Sequence, residues 1–341
     1  MTTSHSDFQL NRPGALIAAL PAVLGFVPDN SLILVTIDRG ALGCVMRVDL
    51  SPELADSVDH LAEVAAAARP DAAIAVVVDG EGADCQVCND EYREICRELG
   101  DGLAHHGIEL LDFHIVDSVA PGGRWHCLDG SGGTVDDPSA SPLAMAAVLD
   151  GRRLYTRRAE LCGVIALTDE AASQALASVI RDQPDTDVDT ADEVTAAMAA
   201  AWQNAAGEPL PEAVIARLAR ALTDPQVRDV LYALAVGDKA AQAEALWATL
   251  ARTLPAPWRV EALVLLAFSA YARGDGPLAG VSLEAALRCD ATHRMAGMLD
   301  AALQSGMRPE QIRELGVTGY RLGKRLGVQL PQPRAFGRRA G

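Results

Sequence analysis

Cys85 and Cys88 bracket Gln86 and Val87, and a C-x-x-C spacing of this kind serves three chemistries. It supplies half of a closed zinc site, which needs four ligands and a matching second pair. It makes a redox dithiol when the first thiol sits at a helix N-terminus following a strand. Otherwise it is a pair of inert structural thiols. The completions open to a metal are Cys96, His126 and Cys127, so a metal-stabilised domain uses Cys85, Cys88 and Cys127. The pair stands loosely in the strand-then-helix context that dithiol chemistry wants, but the rest of that pattern is missing. Structural thiols are therefore the expectation.

A second concentration of polar groups surrounds Trp125: Arg124, His126, Asp129, Asp136, Asp137 and Ser141. Its glycines let backbone amides approach an anion, and Arg124 offers a planar fork for carboxylate or phosphate. Arg47 and Asp49 sit two apart and share one face of a strand. Together Arg47, Asp49, Arg124, Trp125, Asp137 and Ser141 are the ligand-binding candidates. The competing reading is structural: Asp136, Asp137 and Pro138 cap and turn the chain, Trp125 is core, and Arg47 and Asp49 pair with a neighbour in a structural ion pair. Ser131 or Ser141 with His126 lacks the order of a nucleophile elbow. Gly274 to Ala279 carries the letters of a dinucleotide-binding turn, but a helix precedes it, so it reads as an inter-helix turn. His105 and His106 fit a helix end beside its dipole. No phosphate-binding loop occurs, no catalytic residue is assigned and no cofactor is expected.

These groups need a scaffold. Ser31 to Ile37 is a continuous apolar, β-branched run of strand length, and Asp38, Arg39 and Gly40 turn it into a hairpin with Cys44 to Leu50. Ser51 and Pro52 start a helix that ends near Arg69, Ala73 to Val78 is a second buried strand, Asp90 to His105 a helix, and Glu109 to Val116 a third strand. A further strand is expected at Arg124 to Leu128 and a loop at 129–141. This order predicts a mixed sheet covered by helices. Leu143 to Leu149 and Arg157 to Ile165 are expected to pack back on it. Beyond an acidic linker, helices are expected at 191–206, 211–222, 225–236, 238–253, 258–273, 276–289, 292–305 and 309–315. The pair 258–273 and 276–289, joined at Gly274, Asp275 and Gly276, reads as a tetratricopeptide-like hairpin without a clean repeat. The expected organisation is an α/β domain over 1–180, a linker over 181–190, an all-α, tetratricopeptide-like domain over 191–316, and a basic, partly disordered tail over 317–341.

A net charge of −17 over 341 residues disfavours generic nucleic-acid binding. The exception is the tail, where no acid follows Glu314 and Arg321, Lys324, Arg325, Arg334, Arg338 and Arg339 read as a solvated segment or a tether to an acidic surface. No run of 18 apolar residues suggests a membrane span. Met1 to Leu10 lacks the pattern of a signal peptide. Seven cysteines, odd in number and irregular in spacing, read as reduced cytoplasmic thiols.

Four stretches carry a resemblance: LPAVLGFVPDNSLILVTI at 20–37, MRVDL at 46–50, GRWHCLDGSGGTVDDPSASPLAMAAVL at 123–149 and VLLAFSAYARGDGPLAGVSLEAAL at 264–287. In these the chain resembles the actinobacterial family DUF4192, a domain of unknown function. The resemblance implies a bacterial cytoplasmic protein and brings no activity with it. Similar proteins often carry further cysteines just after the tryptophan. Here Cys127 is followed by Asp129, Gly130 and Ser131, so the resemblance implies no metal site in this loop. The functional expectation is a non-enzymatic scaffold whose helical domain presents a groove to a protein partner, with an apolar or aromatic stripe around Trp247, Trp258 and Tyr271. The alternative is a small-ligand-binding protein or enzyme that uses the loop after Trp125.

Overall fold

Two uninterrupted apolar runs dictate the centre of the first unit. β1 (Ser31–Asp38) is buried at every residue but its last, and β3 (Ala72–Val78) is buried throughout. Strands apolar on both faces must be covered on both faces. The computed structural model describes residues 12–51, 54–67, 69–149, 152–183 and 189–334. Contacts divide the chain into two compact units, the first Met1–Glu160 with Gln304–Gly306 and the second Leu161–Leu303 with Met307–Gly341.

In the first unit, α1 (Pro13–Leu24) opens on a proline and closes on Gly25, whose φ of 78° lets its amide return to the Pro21 carbonyl. β1 turns through Arg39 and Gly40, both at positive φ, into β2 (Ala41–Asp49), as the Asp-Arg-Gly signal predicts. α2 (Leu54–Ala67), β3, α3 (Gln86–His105), β4 (Glu109–Val116), β5 (Arg124–Cys127) and β6 (Gly132–Thr134) follow. They form one mixed six-stranded sheet in the order β2-β1-β3-β4-β5-β6, in which only β3 and β4 run parallel. α3 is their crossover. One sheet face, built by Leu32, Leu34, Ala75, Val77, Phe113 and Ile115, packs on Val58 and Leu61 of α2 and Leu99 and Leu103 of α3. Burying each such leucine is worth about 1.5–3 kcal/mol. The opposite face carries the alternate residues, among them Asp112, His114 and Val116. The expected loop at 129–141 holds β6 and a 3-10 turn at Pro138–Ala140, and α4 (Pro142–Leu149) follows.

The named elements of the second unit, among the described residues, are all helices. The division falls inside α5 (Arg158–Gly163), short of the boundary at residue 180 expected from the acidic linker. The reason is local bonding: the Thr168 amide donates to the Arg252 carbonyl at 3.0 Å, and Arg259 donates to the Ile165 carbonyl at 2.5 Å. α6 (Glu170–Arg181), α7 (Thr190–Ala205), α8 (Glu212–Ala221), α9 (Pro225–Leu231), α10 (Ala240–Thr253), α11 (Arg259–Arg273), α12 (Gly276–Cys289), α13 (Arg294–Gln304) and α14 (Pro309–Arg325) follow in order, and α7 to α13 keep the predicted spacing closely. Residues 184–188 of the linker lie outside the described residues. Asp169, Asp189, Asp224 and Asp275 each cap a helix by accepting an amide hydrogen bond. α11 is buried from Ala262 to Ala272 and forms the unit's interior.

The C-terminal segment corrects the sequence reading. In place of a tail from residue 317, α14 continues to Arg325, and Tyr320 then donates to the Pro331 carbonyl at 2.7 Å. Gly316, Gly319 and Gly323 line its buried face. A Cβ on Gly319 lies 2.9 Å from backbone atoms of Asp229, Val230 and Ala233, so no larger residue fits. Gly319→Ala is expected to lose about 1–3 kcal/mol, because backbone cannot yield as a side-chain tip does. A urea midpoint equal to wild type contradicts this packing. Residues 335–341 of the expected tail lie outside the described residues, as does Met1 to Leu10. Among the described residues no helix is long and apolar enough to cross a membrane.

Candidate functional site

α3 begins four residues earlier than its apolar spacing predicts, and this early start sets the chemistry. Cys85 is the N-cap residue, in extended backbone, and Gln86, Val87 and Cys88 form the first helical turn. The C-x-x-C therefore spans the head of a 20-residue helix that follows strand β3. The Cys85 sulfur lies beside the first-turn amides of Val87 and Cys88. What it meets is the field of the unsatisfied amides at the helix head. The Cys88 amide, the Cys88 thiol and the Val87 amide hold the Cys85 thiol below the ordinary cysteine range, against small opposing effects of burial and Glu91. Cys88 moves the other way: its hydrogen bond to Cys85, burial and the neighbouring negative charges push it up. One thiol is thus disposed to ionise and its neighbour to keep its proton.

The approach to this turn is held from two sides. Asp79, just after β3, accepts a hydrogen bond from Tyr92 of α3 and another from the Glu81 amide at 3.0 Å. Burial raises the Asp79 carboxyl, but the bonds from Tyr92, Gly82 and Glu81 outweigh it and hold the group below the usual carboxylate range. From β5, Arg124 and His126 project two residues apart on the α3 side of the sheet. The Arg124 side chain donates to Asp84 at 2.5 Å and to Asp117 at 3.3 Å. His126 Nε2 lies 3.1 Å from Asn89 Oδ1, and Asn89 donates to the Ala83 carbonyl at 3.1 Å. The loop that delivers Cys85 is thereby tied to the sheet at both Asp84 and Ala83. Val87, between the two cysteines, is 68% exposed.

The other candidates go separate ways. Arg47 donates to Ser31 Oγ at 2.7 Å and to Asp49 at 2.5 Å, with Phe26 beneath its guanidinium, which makes the structural ion pair. Trp125 donates to the Thr134 carbonyl at 3.2 Å and packs edge-on against His114. Asp137 caps the 3-10 turn through Ser139, and Ser141 caps α4 through the Ala144 amide at 3.1 Å. Of this set only Arg124 reaches the dithiol loop. The ligand set Cys85, Cys88 and Cys127 is not assembled: Cys127 pairs in register with His114, on the sheet face opposite α3. Trp247 and Tyr271 are buried inside the helical unit, with Trp258 partly so, and the two buried rings form no exposed stripe. Asp79, Asp84, Asn89, Tyr92 and Asp117 were not legible as site residues, because only the fold brings them to one loop.

Comparison with known proteins matches residues 13–310 to a family described as a domain of unknown function, DUF4192. No curated protein and no solved structure matches the chain.

Proposed function

The chain belongs to the DUF4192 family, and on that premise we propose that its α/β unit is a thiol–disulfide exchange module working through Cys85 and Cys88. The observation that carries this is the placing of both thiols on the first turn of α3, after a strand parallel to its neighbour. A helix head stabilises a thiolate, and a second thiol three residues on is within reach of the sulfur that the first has engaged. The Cys85 thiolate attacks one sulfur of a substrate disulfide, that S–S bond breaks, and the departing thiolate takes a proton from solvent. Cys88 then gives up its proton and attacks the Cys85 sulfur. The substrate's second sulfur leaves as a thiol and the Cys85–Cys88 disulfide remains. Two electrons pass to the substrate, and a small dithiol returns them to the protein. Exposed Val87 supports contact with an apolar substrate surface. Seven cysteines, odd in number and irregular in spacing, fit a reducing compartment such as the cytoplasm.

Peptide mapping after exposure of the reduced chain to excess oxidised glutathione tests the proposal. A link between Cys85 and Cys88 is expected as the dominant product. If both remain thiols while exposed Cys289 becomes glutathionylated, the exchange reading fails. In the helical unit, the α11–α12 hairpin, closed at Gly274 and capped by Asp275, supports tetratricopeptide-like packing. A protein partner for that unit is a further proposal, and the buried Trp247 and Tyr271 do not supply its anchors.

A further inference from the structure

The face of the sheet turned away from α3 holds a second group of donors. Strand alternation puts Asp112 and His114 on one side of β4, and the antiparallel register sets Cys127 of β5 directly opposite His114. The ligating atoms of the three lie within 4.8 Å of one another, and His114 Nδ1 is 3.0 Å from Cys127 Sγ. His114 is 1% exposed and Cys127 8%, while Asp112 opens to solvent. The Trp125 ring packs edge-on against the imidazole at 5.5 Å and fixes its plane. Three donors on two hydrogen-bonded strands cannot drift apart as donors on a loop do. We propose that Asp112, His114 and Cys127 bind a transition-metal dication of borderline softness, such as Zn²⁺.

Sulfur and imidazole nitrogen favour such a cation over magnesium or calcium, which take oxygen sets. The charges also match: one carboxylate, one thiolate and a neutral imidazole leave the dication balanced. Binding breaks the Cys127 S–H bond, forms a metal–sulfur bond and releases the proton to solvent. Three protein ligands leave a fourth position for water or a substrate atom. Asp129, across the turn from Cys127, adds negative charge beside the pair, since its charge bears on both His114 and Cys127. This site is separate from the Cys85–Cys88 dithiol, which lies on the α3 side.

The test uses the full chain carrying Cys85→Ser and Cys88→Ser, titrated with Co²⁺. One equivalent is expected to bind with a sulfur-to-cobalt charge-transfer band, and one equivalent of Zn²⁺ is expected to displace it. Adding Cys127→Ser is expected to remove the band. Asp112→Asn, at an exposed position that leaves the fold intact, is expected to weaken binding at least about tenfold. A band that survives Cys127→Ser, unchanged affinity in Asp112→Asn, or no cobalt binding in the dithiol-free chain overturns the proposal. Should Cys127→Ser unfold, the Asp112→Asn titration decides.

Discussion

Cys85 is expected to alkylate at least about tenfold faster at neutral pH than Cys44, Cys96 or Cys127. The thiolate is the reactive species, so the rate follows the ionised fraction. The helix-head amides and the Cys88 thiol lower Cys85, whereas burial pushes Cys44, Cys96 and Cys127 up. The sign is fixed by this difference: as pH rises, the Cys85 rate climbs first and levels off while the other three are still rising. Cys88, pushed up by its bond to Cys85, stays slow until Cys85 is replaced. Iodoacetamide labelling across a pH series, read residue by residue by mass spectrometry, checks this. Equal rates at Cys85 and Cys96 contradict it.

The second large effect is on stability. Glu261→Ala is expected to cost the helical unit about 3–5 kcal/mol, because it strands a buried guanidinium. Arg228 Nη1 donates to both Glu261 oxygens, at 2.7 and 2.8 Å, and the two side chains are 14% and 12% exposed. His293 Nδ1 accepts the Ala296 amide at 3.1 Å, which leaves the imidazole proton on Nε2, 3.3 Å from Glu261 Oε1. Burial raises the Glu261 carboxyl, but His293 and Arg228 outweigh it and hold the group below its ordinary range. The folded chain therefore binds this proton less readily than the unfolded chain. The stabilisation is present above the ordinary carboxylate pKa and is lost as pH falls through the folded-state value. Urea unfolding of Glu261→Ala measures the loss, and a change under about 1 kcal/mol contradicts the assignment. Replacing Arg228 and Glu261 together by methionine is expected to recover most of it, since the cost lies in the unpaired charge and not in the lost pair.

The strands were legible because burial on both faces leaves an apolar run that no other element of that length produces. Ser31 to Ile37 and Ala73 to Val78 are of this kind, and the Arg39-Gly40 turn fixed the hairpin between β1 and β2. The aspartate caps at Asp169, Asp189, Asp224 and Asp275 are local signals too, but the apolar spacing that placed the helices did not single them out. The start of α3 was not legible, because Gln86 to Asn89 carries neither a capping side chain nor the apolar repeat that begins further on. This early start is what moves Cys85 and Cys88 from a loop to a helix head. The reach of α14 was hidden for a different reason. Gly316, Gly319 and Gly323 lower helix propensity, and only the close backbone of α9 and the residues after it shows why glycine is required there. His114 and Cys127 meet through strand register, which the spacing of either strand alone does not reveal.

The central claim is that Cys85 and Cys88 act in sequence on one disulfide, and thiolate release from a chromogenic aromatic disulfide measures this directly. In the fast phase the wild-type chain is expected to release two aromatic thiolates and retain no adduct. Cys88→Ser is expected to release one and keep the aromatic group on Cys85, and Cys85→Ser is expected to lack the fast phase. A fast phase that persists in Cys85→Ser, or a single equivalent with a retained adduct in the wild type, contradicts the account.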